Sequence, residues 1–207
     1  MQKNELEEKI ISTARDIFIE KGYTETSMSD IAATLNINRP TLHYYFRTKE
    51  KLFDAIFGEI IRSSVKRIHI TLTQDESIER RLSTIIDSYN DYFFEQPDLP
   101  LFFFREIQRN SDGLIAEFLE STVHNIFNEV NEIYASYIRE GRIKDVPFIT
   151  FLMTFYSLLI CPFISRKLIL NPRINGNIDF TLLLESWKSN ILDQIDSLIG
   201  FRKADKK

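Results

Sequence analysis

The sequence predicts an all-α fold, and three observations carry that prediction. Apolar residues recur at helical spacing through most of the 207 residues, and no stretch shows the alternation of a half-buried strand. Gly and Pro number only six each, and most of the prolines fall outside the periodic segments, which suits long helices better than many tight turns. Apolar residues at 43% and 17 Phe supply a packed core rather than a disordered chain.

Charge and cysteine usage narrow the functional classes. A net charge of -4 excludes a globally basic nucleic-acid footprint, although phosphate contacts need only a few cations on one face. Cys161, alone in an apolar run, excludes an intrachain disulfide and fits a reducing compartment. The polar, acidic start Met1-Gln2-Lys3-Asn4-Glu5 does not read as a signal peptide, so a cytoplasmic location is expected.

In chain order, Leu6, Ile10, Ala14, Ile17 and Phe18 mark an amphipathic first helix ending near Gly22. Ser27 and Asp30 have the form of a capping box, opening a short helix whose apolar face is Ile31, Ala32 and Leu35. Asn36 tolerates the left-handed conformation that ends it. Asn38 is placed to cap a second short helix, with Pro40 in its first turn. There Leu42 and Phe46 share the inner face, Pro40, Thr41 and Tyr44 point away, and His43 and Tyr45 flank. Spacing alone admits two readings, a helix-turn-helix or a helical hairpin inside a bundle. Arg47, Lys49 and Lys51, opposed only by Glu50, favour the first.

Thr48 begins a helix that continues as a rod to about Leu72. Further helices are expected over 77–95, 101–109, 114–140, 146–165 and 178–198, with loops around Pro97, Asn110 to Gly113 and Asn171 to Asn177. Residues 146–165 carry no charge, and about 20 such residues are long enough to span a bilayer. Pro147, Pro162 and several Thr and Ser argue instead for a helix buried between core and partner subunit, with a bend at Pro162. A membrane-associated helical protein anchored by 146–165 is the alternative reading.

No enzyme is expected. His43, His69 and His124 lie far apart without metal-ligand spacing, and no nucleophile motif or glycine-rich phosphate loop appears. No cofactor or metal is expected.

Gly22-Tyr23-Thr24-Glu25-Thr26-Ser27, Asp30-Ile31-Ala32 and Arg39 to Leu52 together resemble the DNA-binding domain of the TetR family of transcriptional regulators. The sequence departs from the family pattern at Asn36, Pro40 and His43, the last two at the reading end, so base preference does not transfer. The resemblance implies a helix-turn-helix domain over 1–48 and a helical ligand-binding and dimerisation domain over 49–207. It also implies a repressor: a homodimer on a palindromic double-stranded DNA operator, released by a small hydrophobic effector, with no membrane.

Thr26, Ser27, Asn38, Arg39, Pro40, Thr41, His43, Tyr44, Tyr45 and Lys49 are the expected DNA contacts. Arg39 suits guanine O6 and N7, the Pro40 ring a thymine methyl, and Tyr44, Tyr45 and His43 suit phosphates. For Tyr45 packing on the first helix is the competing reading, and for Lys49 a solvated cation. A ligand cavity implied by the resemblance would draw on Tyr89, Phe93, Phe102, Phe103, Phe118, Phe127, Tyr134 and Phe155, each of which also reads as plain core. Dimerisation through the last two helices would draw on Phe163, Trp187, Ile191, Ile195 and Leu198.

Overall fold

The computed structural model describes residues 2–72, 76–109 and 124–201, and every regular element among them is a helix. The first four are α1 (Gln2–Glu25), α2 (Met28–Thr34), α3 (Arg39–Tyr45) and α4 (Lys49–Leu72). After them come α5 (Ile78–Glu95), α6 (Leu99–Arg109), α7 (His124–Arg139) and α8 (Phe148–Ile164). Two single-turn pieces, α9 (Arg166–Ile169) and α10 (Pro172–Asn175), lead to α11 (Phe180–Ile199). The expected helix start at Leu114 and the basic tail after Phe201 lie outside the described residues, as does Phe118.

Packing divides the chain into two units, Met1–Ser64 with Leu101–Thr122, and Val65–Pro100 with Val123–Lys207. In the first, Ile10, Ala14 and Phe18 of α1 are fully buried together with Ile31, Leu42, Leu52 and Ile56. Phe53 meets Phe18 edge-on at 5.2 Å and Phe57 stacked at 5.5 Å, while Phe102 of α6 lies 6.1 Å from Phe53. Such aromatic pairs add stability beyond their buried area.

Local signals set the helix ends. α1 breaks at Gly22, whose φ of 83° is open to glycine and costly for other residues. The Ser27–Asp30 capping box forms as the spacing predicts. Asn36 takes φ 54°, and Ile37 N–H to Ala32 O with Asn36 N–H to Ala33 O close the end of α2. Asn38 accepts the Thr41 N–H at 2.8 Å to start α3.

In the second unit α11 packs on α8 and α5. Its core includes Ile86, Phe93, Leu159, Phe163, Ile191, Ile195 and Ile199. α8 runs through Pro162 and ends two residues later at Ile164, where a bend was expected. The expected loop at 171–177 contains the short α10, capped by the Asn171 side chain on Arg173 N–H. At 17 residues α8 is about 26 Å long, short of the roughly 30 Å hydrocarbon layer. No helix among the described residues is long and apolar enough to cross a membrane.

Candidate nucleic-acid interface

The first turn of α3 is the exposed end of the motif. Arg39 and Pro40 are exposed, and Leu42 behind them is fully buried, so the core fixes which face of α3 looks outward. Asn38 Oδ1 accepts both the Thr41 N–H and the Thr41 hydroxyl, the latter at 2.7 Å. Arg39 Nε donates to His43 Nε2 at 3.2 Å, and the other ring nitrogen of His43 lies 3.0 Å from Arg47 O. Tyr44 is 69% exposed and meets Tyr45 edge-on at 5.4 Å, while Tyr45 is half-buried.

Three expected contacts have structural duties. Thr26 is buried and its hydroxyl donates to Gly22 O at 2.7 Å, which takes the side chain out of reach of a phosphate. Ser27 Oγ bonds the Asp30 carboxylate at 2.7 Å and accepts the Asp30 N–H, and these bonds hold the Asp30 carboxyl below the usual carboxylate range. That carboxylate occupies the α2 N-terminus where an anion would otherwise sit. Lys49 Nζ donates to Tyr23 O and Thr26 O, both at 2.9 Å, and lies 4.1 Å from the Tyr23 ring centre. Two of its three donors are therefore committed to the α1–α2 junction.

That junction is held from a second side. Glu106 of α6, 1% exposed, accepts the Tyr23 N–H at 3.0 Å and pairs with Arg109 at 2.5 Å. The Arg109 guanidinium lies 4.0 Å from the Tyr23 ring centre. Burial, then the hydrogen bond to Glu50, pushes the Tyr23 hydroxyl up to about 12. Sequence reasoning missed Glu106, because nothing local distinguishes it from a solvated helix acid.

Residues 10–56, spanning α1 through the start of α4, match the bacterial regulatory proteins of the tetR family. The likeness to that family lies in this N-terminal segment. The curated relatives that the chain resembles are HTH-type transcriptional regulators. Among curated relatives it is 24% identical over 139 residues to the HTH-type transcriptional regulator YhgD of Bacillus subtilis, covering 65% of this chain and 70% of that one. It is 39% identical over 49 residues to IcaR, the negative regulator of the biofilm operon icaADBC in Staphylococcus aureus, covering 24% and 26% of the two chains. Among solved structures, the ketosteroid regulator KstR2 of Mycobacterium tuberculosis superposes with TM-score 0.67 at 16% identity, over 91% of this chain and 93% of that one.

Among the described residues, the aromatics expected for a ligand cavity fall into several separate packing contacts. Phe102 and Phe103 pack on Phe57 in the first unit, at 6.0 and 5.5 Å. Tyr89 and Phe93 are buried on α5, and Phe93 meets Phe163, which in turn meets Phe180, both edge-on. Phe127 is 36% exposed against Phe148, and Phe155 stacks on Phe151. Tyr134 borders a cavity of about 50 Å³, walled by Leu82, Ile85, Val130, Ile133 and Phe151. Its hydroxyl donates to Val146 O at 3.0 Å.

Most residues expected at the dimer interface face the unit's own interior. Phe163, Ile191 and Ile195 are buried within the unit, and Trp187 donates its indole N–H to Leu158 O at 2.8 Å. Leu198 is half-buried. The large apolar side chains left exposed on the last two long helices are Ile149, Met153, Tyr156 and Ile164 of α8 and Leu182 of α11. The four on α8 share one face by helical spacing, a pattern visible in the sequence but indistinguishable there from core.

Proposed function

We propose that the protein is a homodimeric, cytoplasmic repressor that binds a palindromic operator and leaves it when a small hydrophobic effector binds. Reading by residues 1–48 and sensing and pairing by 49–207 are parts of the same proposal. The carrying observation is the exposed first turn of α3, where Arg39 stands outward over a buried Leu42. A two-fold dimer would set two such turns about one DNA turn or a multiple apart, and the operator would mirror that symmetry. The negative sign of regulation is supported by the likeness of a 49-residue segment to IcaR.

The exposed α8 stripe of Ile149, Met153, Tyr156 and Ile164 supports pairing through that face. For the effector, the space beside Tyr134 holds only a few water-sized molecules, whereas ligand pockets run to roughly 300–1,000 Å³. Effector entry there therefore requires wall side chains such as Phe148 and Phe151 to move. Release also requires the effector to bind one dimer state better than the other.

Selection of bound DNA from a random pool tests the reading. A palindrome is the expected result. Enrichment of single, unrepeated half-sites overturns the symmetric dimer, and no enrichment overturns sequence-specific reading.

A further inference from the structure

We infer that His43 is a positioning residue for base readout, fixing which edge of the Arg39 guanidinium meets DNA; this rests on the DNA-reading role proposed above. Arg39 and His43 lie four apart, on one face of α3. Arg39 Nε donates to His43 Nε2 at 3.2 Å, so that ring nitrogen carries no proton. The proton of the neutral ring then sits on Nδ1, which donates to Arg47 O at 3.0 Å. Both ring nitrogens are used, and the imidazole is held from both sides.

The consequence lies in the chemistry of arginine. A guanidinium offers two paired-donor edges, one containing Nε and one made of the two terminal nitrogens. With Nε committed to His43, the terminal edge is the pair left to point outward. That edge matches guanine O6 and N7 in the major groove. Its neighbours in the first turn of α3 do not offer the same pattern. Asn38 Oδ1 already accepts twice from Thr41, which leaves its amide able only to donate, and Pro40 has no N–H. His43 thus acts through Arg39 and not as a phosphate contact.

The test uses the full-length protein and the operator it selects from a random pool. Binding is measured to that operator, to versions changed at each guanine of the half-site, and to unrelated DNA across a salt series. His43→Phe keeps a ring and removes the acceptor; His43→Leu removes it with a smaller side chain and serves if the phenylalanine variant does not fold. His43→Gln keeps an oxygen acceptor. Loss of the acceptor is expected to cost about tenfold in discrimination at one guanine, the range a bidentate pair supplies. Affinity for unrelated DNA and the salt slope are expected to stay at wild-type values, and His43→Gln to retain discrimination. The double variant with Arg39→Ala is expected to discriminate no worse than Arg39→Ala alone, the mark of two residues acting as one.

Full discrimination in both acceptor-free variants overturns the inference, as do additive losses in the double variant. A salt slope lowered by about 0.9 identifies His43 as a phosphate contact instead and also overturns it. Failure of the wild type to select any sequence is a different result. It overturns the DNA-reading proposal itself and the role of His43 with it.

Discussion

The Glu106 carboxylate accepts the backbone N–H of Tyr23 at 3.0 Å, across 83 positions of sequence. Glu106 is 1% exposed, and Arg109 and Arg105 approach it at 2.5 and 3.5 Å. A buried carboxylate is tolerated because each oxygen finds a donor. Removing it strands the Arg109 guanidinium and an N–H at the helix break. Glu106→Ala is therefore expected to destabilise by about 3 kcal/mol, the lower end for a broken buried pair, because Arg109 is 28% exposed. Glu106→Gln keeps an acceptor for Tyr23 and is expected to cost about half as much. Urea denaturation of the purified variants measures both, and equal costs would show that the Tyr23 bond contributes nothing.

Gly22 sits directly before that bond, with φ 83° and ψ 170°. A Cβ there would lie 2.7 Å from the Arg105 guanidinium. The guanidinium is the end of a flexible side chain and can move aside, so backbone strain is the larger effect. Gly22→Ala is expected to destabilise by about 1–3 kcal/mol. Adding Arg105→Ala is expected to recover little of it in thermal melting. Full recovery would assign the cost to the clash.

The Ser27–Asp30 box makes stability depend on acid pH. Hydrogen bonds from Ser27 lower the folded-state value of the Asp30 carboxyl below its ordinary 3.8. A carboxyl lowered on folding contributes stability that is present above its unfolded value and lost as pH falls through the folded one. Wild-type stability is thus expected to decline below about pH 4, and Ser27→Ala to remove part of that decline while costing about 1 kcal/mol at neutral pH. Denaturation midpoints of the two proteins between pH 2 and 7, values chosen around the usual carboxylate range, check the sign. A parallel decline in both would remove the box from the acid response.

What the sequence disclosed and what it hid follow from how far each interaction reaches. The box at Ser27, the left-handed Asn36 and the Asn38 cap are contacts within about a turn, so residue type and spacing reveal them. Periodicity also marked where the longer helices run. It did not say which neighbour each face meets. Phe102 and Phe103 went to Phe57, and Ile191 and Ile195 into their own core, through contacts set only by the tertiary arrangement. The bonds of Lys49 and Glu106 stayed hidden for the same reason, since their partners are backbone groups 26 and 83 positions away.

Lys49 gives a direct comparison of the two readings of one cation. Its ammonium bridges Tyr23 O and Thr26 O, and its loss leaves both carbonyls without that donor. Lys49→Ala is expected to lower the melting temperature, at about 1–2 kcal/mol for charge-assisted bonds in a partly exposed site. The slope of log affinity against log salt on operator DNA is expected to stay near wild type. A slope smaller by about 0.9 would restore Lys49 to the phosphate contacts.

Pairing through α8 has a sharp test because exposed and buried positions alternate along the helix. Met153 is 58% exposed on the apolar stripe, whereas Phe163, two turns and more along, is 3% exposed in the core. An acidic residue at Met153 places charge at the proposed subunit contact and costs the isolated protomer little. The same residue at Phe163 buries a charge and unfolds the unit. Met153→Glu is therefore expected to sediment as a folded monomer with unchanged helical circular dichroism, and to lose tight binding to the full operator while keeping weak half-site binding. Phe163→Glu is expected to lose helical signal. A Met153→Glu protein that remains dimeric at micromolar concentration would move the subunit contact off this face of α8.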